Sequence, residues 1–238
     1  MEIVLKPKQV TIFCSAIVAL LIAAHIYHLY VFYWYHHYLS LIDLNYEGNI
    51  PTLYSALSIL FCAVLLLIIS GKKLKQDEKF GYRWLILGLI FFFLAYDEYF
   101  AFHDHLTPIF RRFIKMEGFK IRGIFHFAWI IPYGILTLIF GVAYISFLKG
   151  LPKKYRNYFV ISGAIYVTGA SVLEMIGAPR KRFYGRTDHL YAMWTTLEES
   201  FEMIGILFFI YTLMSYIAEI YNNLGFKIKR FAFKISKD

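Results

Sequence analysis

The stretch FLAYDEYFAFHDHL, residues 93–106, opens as lipid-soluble side chains and closes with Asp97, Glu98, His103, Asp104 and His105 within nine positions. Carboxylates and imidazoles gathered in this way can hold a cation, exchange protons or activate water. Further acids follow at Glu174 and in LEESFE, where Glu198, Glu199 and Glu202 stand at helical spacing, with His126 and His189 beside apolar segments. Mixed carboxylate and imidazole donors suit zinc, manganese or iron. On this basis Asp97, Glu98, His105, His126, Glu174 and Glu199 are the expected ligands of a divalent metal ion, and Glu198 or Glu202 the expected general base. The chain lacks HExxH and the Glu-x-x-His pair of dimetal bundles, so the metal expectation rests on residue type and placement alone.

What must position these groups follows from composition. The 238 residues are 59% hydrophobic, 20% aromatic and only 17% charged, with a mean hydropathy of +0.55. Such a chain is an integral membrane protein. Apolar segments at 10–35, 51–70, 83–104, 124–148, 157–177 and 191–220 each approach the length of roughly 20 residues that a spanning helix needs. None alternates as a barrel strand does. The expectation is an all-α, polytopic bundle of six transmembrane helices in a single membrane domain, followed by a basic tail at 222–238.

Six spans bring the end of the third, the start of the fourth, the end of the fifth and the start of the sixth to one membrane side. The acids and histidines therefore converge in depth. At about 100° per residue Asp97 and Asp104 share a direction, as do Glu98 and His105, while His103 points elsewhere; Glu198, Glu199 and Glu202 fit an arc of about 100°. An acid near a helix centre costs about 2.5–3.5 kcal/mol on insertion scales, so these faces turn to the bundle interior. His25 and His28, one turn apart in the first span, read as hydrogen-bonded packing residues ahead of ligands.

A basic rim lies on the same side. The loop 106–123 carries Arg111, Arg112, Lys115, Lys120 and Arg122, and APRKRFYGRTD at 178–188 carries Arg180, Lys181, Arg182 and Arg186. Ion pairing with nearby acids is one use of these cations; binding an anionic headgroup through Arg111, Arg112, Arg180, Lys181, Arg182 and Arg186 is the other. The tail FKIKRFAFKISKD suits anionic membrane lipids, and no recognition motif points to nucleic acid. Lys and Arg are more abundant on the side carrying both termini, which places them in the cytoplasm of a multi-pass cell-membrane protein. Cys14 and Cys62 sit in apolar stretches as small hydrophobic side chains.

The expected function is hydrolysis of a lipid or amphiphilic substrate by a metal-dependent site within the membrane. The arrangement is loosely analogous to intramembrane ceramidase-like and receptor-like hydrolases, but their seven spans and late paired histidines are absent, and family membership does not follow. A proton- or cation-coupled transporter or channel using the same carboxylates is the main alternative, with oligomerisation supplying what so small a chain lacks. A non-catalytic membrane subunit is the third.

Overall fold

The computed structural model describes residues 6–116 and 126–223, and these are helical with no strand among them. The rim residues Lys120 and Arg122 and the basic tail from position 224 lie outside the described residues. The helices are α1 (Pro7–Tyr35), α2 (Ile50–Lys75), α3 (Gly81–Phe100), α4 (Phe102–Met116), α5 (Ile130–Gly150), α6 (Lys153–Val167), α7 (Glu174–Tyr184) and α8 (His189–Asn223), with a π-helical turn, Thr168–Leu173, fusing α6 to α7. Among the described residues five helical stretches are long and apolar enough to cross a membrane. The bent pair α3 and α4 makes a sixth when counted as one span.

Local chemistry sets the helix ends. Asn49 caps α2 by accepting a hydrogen bond from the Thr52 N–H at 3.1 Å, Pro51 sits in its first turn, and Lys72, Lys73 and Lys75 face the negative end of its dipole. α1 ends where His36 turns left-handed and its N–H bonds Phe32 O. α2 and α3 then form a tight hairpin, with Ser70 Oγ donating to Gly81 O at 3.1 Å.

Between helices in lipid, association depends on close packing and interhelical hydrogen bonds. The core lies toward the ends of the helices opposite the acids. There Trp84 stacks on Tyr216 at 5.2 Å and meets Phe147 edge-on at 4.9 Å and Phe159 at 5.6 Å. α8 runs through the centre against α1, α2 and α6. Its contact with α6 is close because glycine stands at the crossing: a Cβ on Gly205 would lie 2.8 Å from Tyr166 N, and one on Gly169 would lie 2.8 Å from Glu198 O.

The third span differs from the sequence expectation. α3 stops at Phe100, Ala101 takes a left-handed conformation (φ 48°), and α4 leaves at 84° to α3. A left-handed alanine costs roughly 1–2 kcal/mol. The Asp97 side chain offsets it by accepting from the His103 N–H at 2.8 Å at the start of α4.

Among the described residues, the hydrogen bonds that tie α5 to other helices fall on either side of its middle, with Phe140, Tyr144 and Phe147 packed on the core. Tyr133 OH donates to Asp97 Oδ1 at 3.0 Å at one end. Near the other, Arg83 Nη1 donates to Ala143 O at 3.1 Å and to Ser146 Oγ at 2.6 Å, and Tyr144 OH donates to Arg83 O at 2.9 Å. Between these ties, positions 135–139 are exposed all the way round the helix.

Candidate functional site

Behind the middle of α5 lies a cavity of about 1140 Å³ walled by α3, α4, α5, the α6–α7 unit, α8 and the loop 36–49. Its deep part is apolar, with Leu87, Phe91, Phe140, Phe147, Phe159 and Phe209 in the wall. Nearer the other membrane side eight carboxylates line it: Glu47, Asp97, Glu98, Asp104, Glu174, Glu198, Glu199 and Glu202. Lys181 and Arg186 stand at the mouth, with His103 in the wall beside Asp97. Leu136 (61% exposed) on α5 and Phe93 (45% exposed) on α3 both line the cavity and are exposed on the outside of the bundle, so the cavity reaches that outer face between α3 and α5.

Asp97 is the best-held acid. Its Oδ1 accepts from the His103 N–H and from Tyr133 OH, and its Oδ2 lies 3.0 Å from His103 Nδ1. With Nδ1 committed as the donor to Asp97, His103 Nε2 keeps its lone pair whenever the ring is neutral. The ring packs 4.8 Å from Trp129. An aspartate that orients an imidazole in this way is the usual support for a base or a ligand.

The remaining acids differ in kind. Glu98, Glu198, Glu199 and Glu202 have no hydrogen-bond or ion-pair partner among the described residues, yet each is half-buried. Glu174 is 8% exposed and follows directly on the π-helical turn, an irregularity that often accompanies functional positions. Two further polar atoms in the cavity wall, Trp129 Nε1 and Thr195 Oγ1, are buried with no well-formed hydrogen bond among the described residues; the Glu174 carboxyl is the group nearest to pairing with Trp129, and the Tyr191 hydroxyl with Thr195. Among the described residues no group of three or more His, Cys, Asp or Glu is arranged to hold a metal ion.

The structure gathers six of the eight residues expected to bind metal or act as base: Asp97, Glu98, Glu174, Glu198, Glu199 and Glu202 all line the cavity. It corrects the two histidines. The break at Ala101 ends the helical phase carried from Glu98, so His105 turns outward and its Nδ1 bonds Ala101 O at 2.8 Å, while His103, expected to point elsewhere, turns in. His126 lies outside the cavity lining, in the turn before α5, where its Nδ1 and its carbonyl accept from Arg111. Burial, reinforced by the charges of Arg111, Lys181 and Arg182, brings the pKa of this imidazole down to about 4.

The basic rim divides likewise. Of the six headgroup candidates only Lys181 and Arg186 line the cavity. Arg111 is spent on His126, Arg112 is exposed, and Arg182 lies over the Phe183 ring at 5.6 Å. Arg180 forms a two-pronged pair with Asp188 at 2.8 and 2.9 Å. That pair holds the Asp188 carboxyl below the ordinary range, and Asp188 in turn caps α8 through the Tyr191 N–H at 3.0 Å.

Sequence reasoning missed the loop 36–49. Asp43, 3% exposed, lies 3.3 Å from His25 Nδ1 and 3.7 Å from His28 Nε2, and accepts from Tyr38 OH at 2.5 Å and the Asn45 N–H at 2.9 Å. Burial alone would raise its pKa, but these hydrogen bonds outweigh it and leave the carboxyl below the ordinary range. His25 Nδ1 accepts from the Leu44 N–H and His28 Nδ1 from the Leu39 N–H, so both rings pin the loop, and His25 Nε2 reaches Thr196 Oγ1 at 3.0 Å. The pinned loop carries Glu47 to the cavity, where loss of hydration pushes its carboxyl up. The signal available in the sequence was topological: a loop after the first span must share the side of the acids.

No curated protein and no solved structure matches the chain. Residues 13–216, a stretch containing every carboxylate of the cavity, match the sequence profile described as Domain of unknown function (DUF8692). The chain belongs to that family.

Proposed function

We propose that this protein is a membrane-embedded hydrolase acting on a lipid or other amphiphile of the cell membrane, with both termini on the cytoplasmic side. The observation that carries the reading is one cavity that is apolar at depth, carboxylate-lined above and reaches the outside of the bundle between α3 and α5. An amphiphile can leave its tail among Phe91, Phe140 and Phe209 and bring its polar linkage to the acids without crossing water. His103, oriented through Nδ1 by Asp97, takes the proton of an attacking water at Nε2, and Tyr133, which shares Asp97, fixes the position of α5 beside it. Lys181 and Arg186 stand where an anionic group at the mouth would be held.

Metal dependence belongs to the same proposal on donor chemistry. Glu98, Glu199 and Glu202, three of the four acids without a partner among the described residues, are not gathered as a metal site in this structure and would have to draw together to hold a divalent cation; an all-oxygen set of this kind favours manganese over zinc. Such an ion, when bound, polarises a carbonyl or phosphoryl oxygen. A second reading, coupled transport of protons or cations, draws on the broken third span and the π-helical turn, which place irregular backbone beside intramembrane acids.

The test combines elemental analysis with turnover. Protein in nanodiscs, wild type beside His103→Ala and Glu199→Gln, is dialysed against metal-free buffer, assayed for bound metal, and offered ester- and amide-linked amphiphiles. Release of the acyl chain by wild type and its loss in His103→Ala supports the hydrolase. Absent turnover with and without added manganese, zinc or iron, together with proton flux in liposomes, replaces it with the carrier.

A further inference from the structure

The order of charges with depth narrows the amphiphile. Helix rise of about 1.5 Å per residue places Phe209 about 10 Å deeper than Glu202 on α8, and Glu174 about 10 Å deeper than Lys181 on α7. From the deep end to the mouth the cavity therefore runs apolar, then strongly acidic, then basic at Lys181 and Arg186. The middle layer holds Glu98, Glu199 and Glu202, acids for which the described residues supply no partner. Trp129 Nε1 and Thr195 Oγ1, 7% and 5% exposed as residues, also face the cavity with no well-formed hydrogen bond among the described residues, Trp129 on the side of Glu174 and Thr195 on the side of Tyr191, and an indole N–H can only donate.

We propose that the cavity binds a single-chain amphiphile with a cationic amine next to its tail and a hydrogen-bond acceptor beyond the amine. The amine lies among Glu98, Glu199 and Glu202, in the place a divalent cation would otherwise take and to its exclusion, the acceptor meets Trp129 Nε1, and an anionic or carbonyl group further out meets Lys181 and Arg186. A glycerophospholipid has the opposite order. Its phosphate, the charged group nearer the tails, would fall among the acids, and its amine would fall against the basic mouth. The lateral opening beside Leu136 and Phe93 admits the chain from the bilayer. This inference rests on the reading of the cavity as an amphiphile site and is independent of whether a bond is cleaved there.

The experiment uses the full chain in nanodiscs of zwitterionic lipid, with three spin-labelled hexadecyl probes that end in an amine, an alcohol or a phosphate. Electron paramagnetic resonance reads the immobilised fraction. The amine is expected to bind on the order of 10-fold more tightly than the alcohol, a difference of about 1.4 kcal/mol, and the phosphate most weakly. A Glu199→Gln, Glu202→Gln double variant should lose the amine preference while still binding the alcohol, which also reports that the cavity has folded; Glu98→Gln alone should lower the preference in part. Equal binding of amine and alcohol, tighter binding of phosphate, or an amine preference that survives the double variant overturns the inference. Acyl release from neutral amphiphiles without amine preference removes this inference alone. Amine preference with no turnover of any substrate, an N-acyl amine included, upholds it and removes the hydrolase.

Discussion

Substituting the neighbouring acids Asp97 and Glu98 should have opposite consequences, although they are adjacent in sequence and both line the cavity. Asp97 accepts from the His103 N–H, His103 Nδ1 and Tyr133 OH, and so ties α3 to both α4 and α5. Hydrogen bonds to a charged acceptor are worth about 1.5–3 kcal/mol each. Two of these three share one residue and are not independent, so the loss is that of two bonds and Asp97→Ala should cost about 3–6 kcal/mol. For a chain of this size that is a fall in thermal midpoint of about 10 °C or more. Asp97→Asn keeps the oxygen that meets the His103 N–H and Tyr133, but its amide now faces Nδ1 and forces the imidazole proton onto Nε2, at about 1 kcal/mol. Among the described residues Glu98 has no hydrogen-bond or ion-pair partner to lose. Glu98→Gln removes an ionisable group from the membrane interior and should change stability by less than about 1 kcal/mol, or raise it. Unfolding in detergent micelles gives the order, and nitrogen-15 NMR of the histidine ring gives the tautomer. A Glu98→Gln protein as unstable as Asp97→Ala would refute the assignment of Asp97 as the hinge acid and Glu98 as free.

Three other outcomes are expected. Gly205→Ala should cost about 1–3 kcal/mol of stability, because its new Cβ meets the Tyr166 backbone at 2.8–2.9 Å, whereas Gly141→Ala, with nothing within 4 Å, should not; unfolding midpoints of the pair decide it. His126, whose pKa is about 4 in the fold against an ordinary 6.5, binds protons more readily in the unfolded chain; its contribution is full above pH 6.5 and is lost as pH falls toward 4. A pH series of wild type against His126→Gln should show a gap of the order of 1 kcal/mol that closes across that window, after allowance for solvent screening of a partly exposed ring. Asp43→Ala should release the loop 36–49, and hydrogen exchange at the Leu39 and Leu44 amides should rise on the order of 10-fold or more, with α2 protected as before.

The helices and the acidic face of α8 were legible because each depends on a regular quantity. Apolar length gave the spans, and an unbroken α8 carries Glu198, Glu199 and Glu202 around the arc that helical rise and turn require. The exchange of His103 for His105 was not legible. The break that causes it falls on Ala101, a good helix former, with neither Gly nor Pro beside it, and is made by a side chain four residues earlier. The rim misled for a related reason. Lys and Arg counts report which side of the membrane is basic, but only partners decide that Arg111 is consumed by His126 and Arg180 by Asp188 while Lys181 reaches the cavity. Asp43 and Glu47 were passed over because helical phase says nothing about a loop.

The π-helical turn at Thr168–Leu173 has a consequence for how this family can vary in length. An α-helix advances about 100° per residue, so a residue gained or lost in an ordinary span turns everything after it onto a new face. The wider i→i+5 turn takes up one extra residue locally, leaving Gly169 against Glu198 on one side and Lys181 at the mouth on the other. Relatives one residue shorter between Gly169 and Lys181 should therefore carry a plain α-helix there with the same two ends facing α8, and this stretch is where insertions and deletions within the spans should concentrate.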